Sequence, residues 1–108
     1  MTTHAFLWSD GTIEDLGSLG GPGSIGNAID EHGRVVGQSS TSSNEKHAFL
    51  FRKGRLLDLN DVAPAADGFV YVKAFGINKA GTIIGFAVNA FTARPFVLVR
   101  DSADENDD

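Results

Sequence analysis

Two fourteen-residue stretches, HAFLWSDGTIEDLG at residues 4–17 and HAFLFRKGRLLDLN at 47–60, are nearly the same phrase. A chain that repeats itself at a fixed spacing folds as repeated supersecondary units that bury their faces on one another, which limits the fold sharply. The likeness runs further: AIDEHGRVVG (28–37) matches GINKAGTIIG (76–85), laying Gly33 on Gly81 and Gly37 on Gly85. The offset is 43 residues at the His end and 48 at the Gly end, so the second copy carries five extra residues in its middle loop. RPFVLV (94–99) opens a third copy, with Phe96 in the place of Phe6 and Phe49. A period in the forties suits a four-stranded propeller blade or a pair of helices.

No stretch carries a capped i, i+3, i+4, i+7 apolar pattern, so helices are not expected. Thirteen glycines in 108 residues are nearly twice the usual share and fit tight turns between short strands. Each copy reads as four strands: HAFLW or HAFLF, then TIEDL or RLLDL, then SIGNAID or VYVKAFGIN, then RVVGQS or TIIGFAV. PFVLV makes a ninth. The expected fold is all-β: two tandem four-stranded antiparallel blade-like repeats plus a ninth strand, in a propeller-like or stacked-sheet arrangement. Residues 1–100 form one domain, with repeat one at 4–46, repeat two at 47–94 and a partial third at 94–99; residues 101–108 form an acidic, disordered tail. In HAFLF, Ala48 and Leu50 face one way while Phe49 and Phe51 face the other. A strand apolar on both faces is buried on both, so the sheets are expected to stack, and any apolar outer face needs a partner, most simply another copy of the chain.

The net charge of −5 hides a division. Asp101, Asp104, Glu105, Asp107 and Asp108 supply it, leaving nine acids and nine bases in residues 1–100. Within the body, residues 4–46 hold six acids against two bases, and residues 47–94 hold three acids against six bases. Acidic and basic repeats are therefore expected to meet between chains. The absence of cysteine excludes disulfides and thiolate metal sites. No apolar run reaches the length of a membrane span, and the first repeat begins too early for a signal peptide, so a soluble, cytoplasmic protein is expected as written, or an extracellular one if the chain is part of a larger secreted repeat protein.

The stretch HAFLWSDGTIEDLGSLGGPGS, followed by AIDEHGRVVGQS, resembles the HAF repeat of bacterial extracellular repeat proteins, named for its His-Ala-Phe triplet. That pattern runs HAFLW, DG, DLG, LGG, then Ile-Asn-x-x-Gly-x-Val-Val-Gly. The first copy departs at Asp30, where Asn is usual and the second copy has Asn78; the second copy replaces LGSLGG with LNDVAPAADG. The resemblance covers most of residues 4–99 and implies a β repeat in a propeller-like arrangement, with no particular chemistry.

His4 with Asp15, repeated as His47 with Asp58, is the best-placed polar constellation. A two-residue turn at 10–11 sets Phe6 opposite Asp15 and His4 opposite Gly17, so His4 and Asp15 become diagonal neighbours on one face. A His–Asp pair can orient a general base, but no nucleophile or oxyanion donor completes a site. Recurrence in both copies points to structural pairs, each tying strand to strand by a buried hydrogen bond of roughly 1–3 kcal/mol. GPGSIG (21–26) satisfies G-x-G-x-x-G, yet a strand and a turn follow it rather than a helix, which makes it a flexible loop and no dinucleotide site. The three histidines form no metal-ligand motif. Arg52, Lys53 and Arg55 form a cationic hairpin tip, too small a patch for nucleic acid and better suited to a solvated turn or an interface. Trp8, in the position of Phe51 and Leu98, reads as a core or interface residue. Asp61 and Asp67 lie in the variable loop 60–68, which with loop 17–25 is where specificity is expected. No cofactor or metal and no enzyme activity are expected. The expected function is a non-enzymatic binding or scaffold module, homo-oligomeric through its charged repeats, with a protein or glycan ligand and no nucleic-acid or membrane partner. The alternative is a small intracellular inhibitor, of the toxin-immunity or phage-antagonist kind, that neutralises a basic protein.

Overall fold

A computed structural model describes residues 3–9 and 11–99; the expected tail at 101–108 lies outside them. In chain order the elements are β1 (Ala5–Ser9), β2 (Thr12–Gly17), β3 (Gly20–Ile29), β4 (Val35–Thr41), β5 (Lys46–Arg52), β6 (Arg55–Asp58), α1 (Leu59–Val62), β7 (Val70–Ile77), β8 (Ile83–Val88) and β9 (Ala93–Leu98). The protein is all-β apart from one helical turn. That turn departs from the all-strand expectation: it falls at the start of the second copy's altered loop, where the Asp58 carboxylate caps it by accepting from the Asn60 backbone N–H at 2.9 Å.

The strands form three antiparallel sheets, β1-β2, β3-β4-β5-β6 and β7-β8-β9, and none closes on itself. The grouping therefore differs from one four-stranded blade per copy. The middle sheet joins the last two strands of the first copy to the first two of the second. The reason is local. A tight turn over residues 42–45, with Thr41 donating to Glu45, Asn44 donating to Thr41 and Asn44 at positive φ, zips β4 to β5 across the copy boundary. Lys53 and Gly54, both at positive φ, then turn β5 into β6 as a two-residue hairpin requires.

Registers recur at the spacings of the sequence. Phe6↔Asp15, Leu7↔Glu14 and Trp8↔Ile13 in the first sheet reappear 43 residues later as Phe49↔Asp58, Leu50↔Leu57 and Phe51↔Leu56. Gly26↔Gly37, Ala28↔Val36 and Ile29↔Val35 reappear 48 residues later as Ala74↔Gly85, Gly76↔Ile84 and Ile77↔Ile83, with the same bulge between the first two pairs. Gly37 and Gly85 are required there, because a Cβ on either would collide with the carbonyl oxygen of Ile25 or Lys73. GPGSIG is no flexible loop but part of β3: a Cβ on Gly21 would come within 2.5 Å of Thr41 O.

The sheets stack in sequence order around two cores. Alternation along β5 sends Phe49 and Phe51 into one core with Val35, Ala5 and Leu16, joining the first sheet to the second. Ala48 and Leu50 enter the other with Val36, Leu59, Tyr71, Ala74, Ile83 and Ala87, joining the second sheet to the third. All four of these β5 side chains are buried, as apolar residues on both faces demand.

Candidate functional site

Both His–Asp pairs form, but neither is buried as expected: the first is exposed because, among the described residues, no sheet covers its face, and the second is only partly buried. In the first sheet the His4 Nδ1–H lies 3.0 Å from Asp15 Oδ1 and 3.1 Å from Oδ2, and Gly17 N–H donates to Oδ1 at 2.7 Å. A carboxylate accepts only, so the imidazole carries its proton on Nδ1. The register differs by one residue from the simple hairpin: Ala5, not His4, stands opposite Gly17, because Leu16 is the extra residue of a bulge and turns into the core. The Gly17 N–H bond, followed by the His4 bond, holds the Asp15 carboxyl below its ordinary pKa.

The second pair is tighter. His47 Nδ1–H donates to Asp58 Oδ2 at 2.6 Å, and Asp58 Oδ1 accepts from the Asn60 backbone and side chain at 2.9 and 3.0 Å. Asn60 sits 43 residues after Gly17 and adds a side chain where glycine has none. It exchanges two hydrogen bonds with the Tyr71 backbone, donating at 3.0 Å and accepting at 2.9 Å, and so fastens the β6 end to the third sheet. Among the described residues, neither imidazole bonds a serine or threonine side chain, and no three His, Asp or Glu side chains could hold a metal ion. Each pair ties one hairpin end to its neighbour.

A polar site that the sequence reading passed over lies in the β3–β4 turn. Asp30 and Arg34 make an ion pair, Nε to Oδ2 at 2.5 Å, with the carboxylate side chain only 1% exposed. Asp30 Oδ1 also accepts from the His32 and Arg34 backbone N–H groups at 2.9 Å each, and Arg34 Nη2 reaches the Lys79 carbonyl of the next sheet's turn at 3.4 Å. In the matching turn Asn78 does the same backbone work for Thr82 at 3.0 Å, without a charge. The signal was present in the sequence: Asp30 and Arg34 change together, to Asn78 and Thr82, between copies.

Arg52, Lys53 and Arg55 gather at the β5–β6 tip as expected, lining a shallow cleft with Leu57. A more enclosed cleft of about 150 Å³ opens between the second and third sheets, lined by Arg34, Leu50, Leu59, Ile77 and Leu98 among others. Asp61 is exposed on α1 and Asp67 on the loop after it; neither joins these two clefts, and Asp67 lines a separate one with Phe69, Tyr71 and Arg94. Trp8 is not a core residue. It is 63% exposed, on the outer face of β1-β2 with Phe6 and Ile13, whereas Phe51 in the matching position is buried. The charge division sharpens when counted by sheet. The strands of the first sheet hold Glu14 and Asp15 with no Lys or Arg, and those of the third hold Lys73 and Arg94 with no Asp or Glu; Lys79, in the β7–β8 turn, lies 3.8 Å from Glu31 of the β3–β4 turn. Among the described residues, no helix is long and apolar enough to cross a membrane. Set against family models, curated proteins and solved structures, the chain matches none.

Proposed function

We propose that this chain is a non-enzymatic scaffold or binding module, built from HAF-like β repeats and assembling through them. One observation carries the reading: the strands of the two outer sheets bear opposite charge, Glu14 and Asp15 on the first, Lys73 and Arg94 on the third. Opposed charge at the two ends favours ordered association and speeds encounter. The polar constellations support it, since the His–Asp pairs and the Asp30–Arg34 pair are spent on joining strands and turns. A protein or glycan ligand would engage the segments in which the copies differ, 17–25, which runs into β3, and 60–68, which runs from α1 into the loop before β7. The test is absolute mass, by light scattering behind size exclusion, over a concentration series at low and moderate salt. The expected result is a species heavier than the 11.4 kDa chain that lightens as salt screens the charged ends. A mass of 11.4 kDa at every concentration and salt overturns assembly through the repeats.

A further inference from the structure

The two interfaces inside the molecule are one interface used twice. By register, Phe49 and Phe51 of β5 correspond to Phe6 and Trp8 of β1 and to Phe96 and Leu98 of β9, while Ala48 and Leu50 correspond to Ala5 and Leu7 and to Pro95 and Val97. Between the first and second sheets, the Ala5 and Leu7 face packs on the Phe49 and Phe51 face. Between the second and third, the Ala48 and Leu50 face packs on the Phe96 and Leu98 face. The rule is the same both times: the alanine–leucine side of one sheet seats on the aromatic side of the next.

That rule leaves two faces over, one of each kind. The aromatic side of the first sheet carries Phe6, Trp8 and Ile13, all more than 60% exposed. The opposite kind of face on the third sheet carries Val97 and Ile84, 61% and 48% exposed, beside Phe86. Ile84 holds the position of Val36, which is wholly buried in the middle sheet. We infer that the Phe6–Trp8–Ile13 face of one copy seats on the Ile84–Val97 face of a second copy, repeating between molecules the interface used twice within one. The inference rests on the scaffold reading and names its partner and surfaces. Charge selects this order. Asp15 stands opposite Phe6 on the first sheet's free face and Lys73 opposite Phe86 on the third's, whereas pairing like faces would set Asp15 on Asp15 or Lys73 on Lys73. The contact is head-to-tail, so it leaves a complementary face free at each end of every assembly until a ring closes.

Head-to-tail contact has a distinctive test. Trp8→Arg blocks one face and Val97→Arg blocks the other, each at an exposed position that the fold tolerates, and the two blocked faces repel each other. Each variant alone is expected to self-associate at least tenfold more weakly than the unaltered chain and to run at 11.4 kDa. Mixed in equal amounts, the two keep one good face of each kind and should form a dimer of twice that mass and nothing larger. Circular dichroism checks that each is folded, and Ile13→Arg and Ile84→Arg replace a variant that is not. Variants that assemble as the unaltered chain does overturn the assignment of surfaces while leaving a scaffold that uses others. Monomeric variants that stay monomeric when mixed overturn head-to-tail order. An unaltered chain that is itself monomeric removes the reading beneath both.

Discussion

The hairpins β1-β2 and β5-β6 share a His-Ala-Phe opening, a register and a His–Asp pair, yet they live in different solvents. Phe6 is 64% exposed and Phe49 is 0% exposed, although each stands opposite the aspartate of its own pair. The difference lies in the neighbours. Strands β4 and β5 are zipped edge to edge, and the first sheet then covers β5's aromatic face; among the described residues, β1 pairs with no strand corresponding to β4 and no sheet lies on its aromatic face. Local sequence thus sets the pairing and the hydrogen bonds, while the energetic weight of each residue is set by what stacks against it.

That contrast is broken most directly at the phenylalanines. Phe49→Ala should cost about 3–5 kcal/mol, by lost transfer energy and the cavity left between the first two sheets. Phe6→Ala should cost under about 1 kcal/mol in the monomeric chain, because most of the ring is already in water. Urea unfolding at a concentration too low for association measures both. Equal losses would mean that the first hairpin is covered in the solution monomer.

The turns give the next largest effect. Arg34→Ala should cost about 3 kcal/mol, since it strands a buried carboxylate that keeps only its backbone donors. The pair Asp30→Asn with Arg34→Thr rebuilds the uncharged turn of residues 78–82 and should recover most of that loss. A double-mutant cycle in the same assay reads the coupling. If the double variant is no more stable than Arg34→Ala, the arginine's contacts beyond Asp30, the Lys79 carbonyl among them, are what the turn needs rather than the charge it balances.

These contrasts also mark where the sequence was legible. Alternation in HAFLF told that β5 is buried on both faces, and the two offsets of the repeat recur in the strand registers, because side-chain direction and hairpin turns are local. Sheet grouping was not legible, because the 42–45 turn decides it and the copy boundary hides that β4 and β5 are one hairpin. Trp8 read as core or interface for a related reason, and only the core half is excluded by its exposure. Its phrase matches that of Phe51, and nothing in fourteen residues tells whether a sheet lies above it. The His–Asp pairs were legible because the repeat wrote them twice; Asp30 and Arg34 needed attention to what differed between copies rather than to what matched.

The smallest effect separates the two aspartates. Asp58→Ala removes a helix cap and a partly buried bond to His47 and should cost about 1–2 kcal/mol. Asp15→Asn should cost less, since Asp15 is exposed, but its loss should carry a pH signature. The Gly17 N–H and His4 hold the folded carboxyl's pKa below its unfolded value, so the folded chain binds fewer protons here than the unfolded one. The stabilisation is therefore fully present above the unfolded pKa, about 3.9 for an aspartate, and fades as the pH falls through the lower folded value. Unfolding midpoints of the unaltered chain and Asp15→Asn, measured from pH 6 downward, should differ most at the top of that range and converge at the acid end. A gap that stays constant to the lowest pH would mean that Asp15 acts through its shape and its neutral hydrogen bonds, and that the first hairpin is held differently from the second.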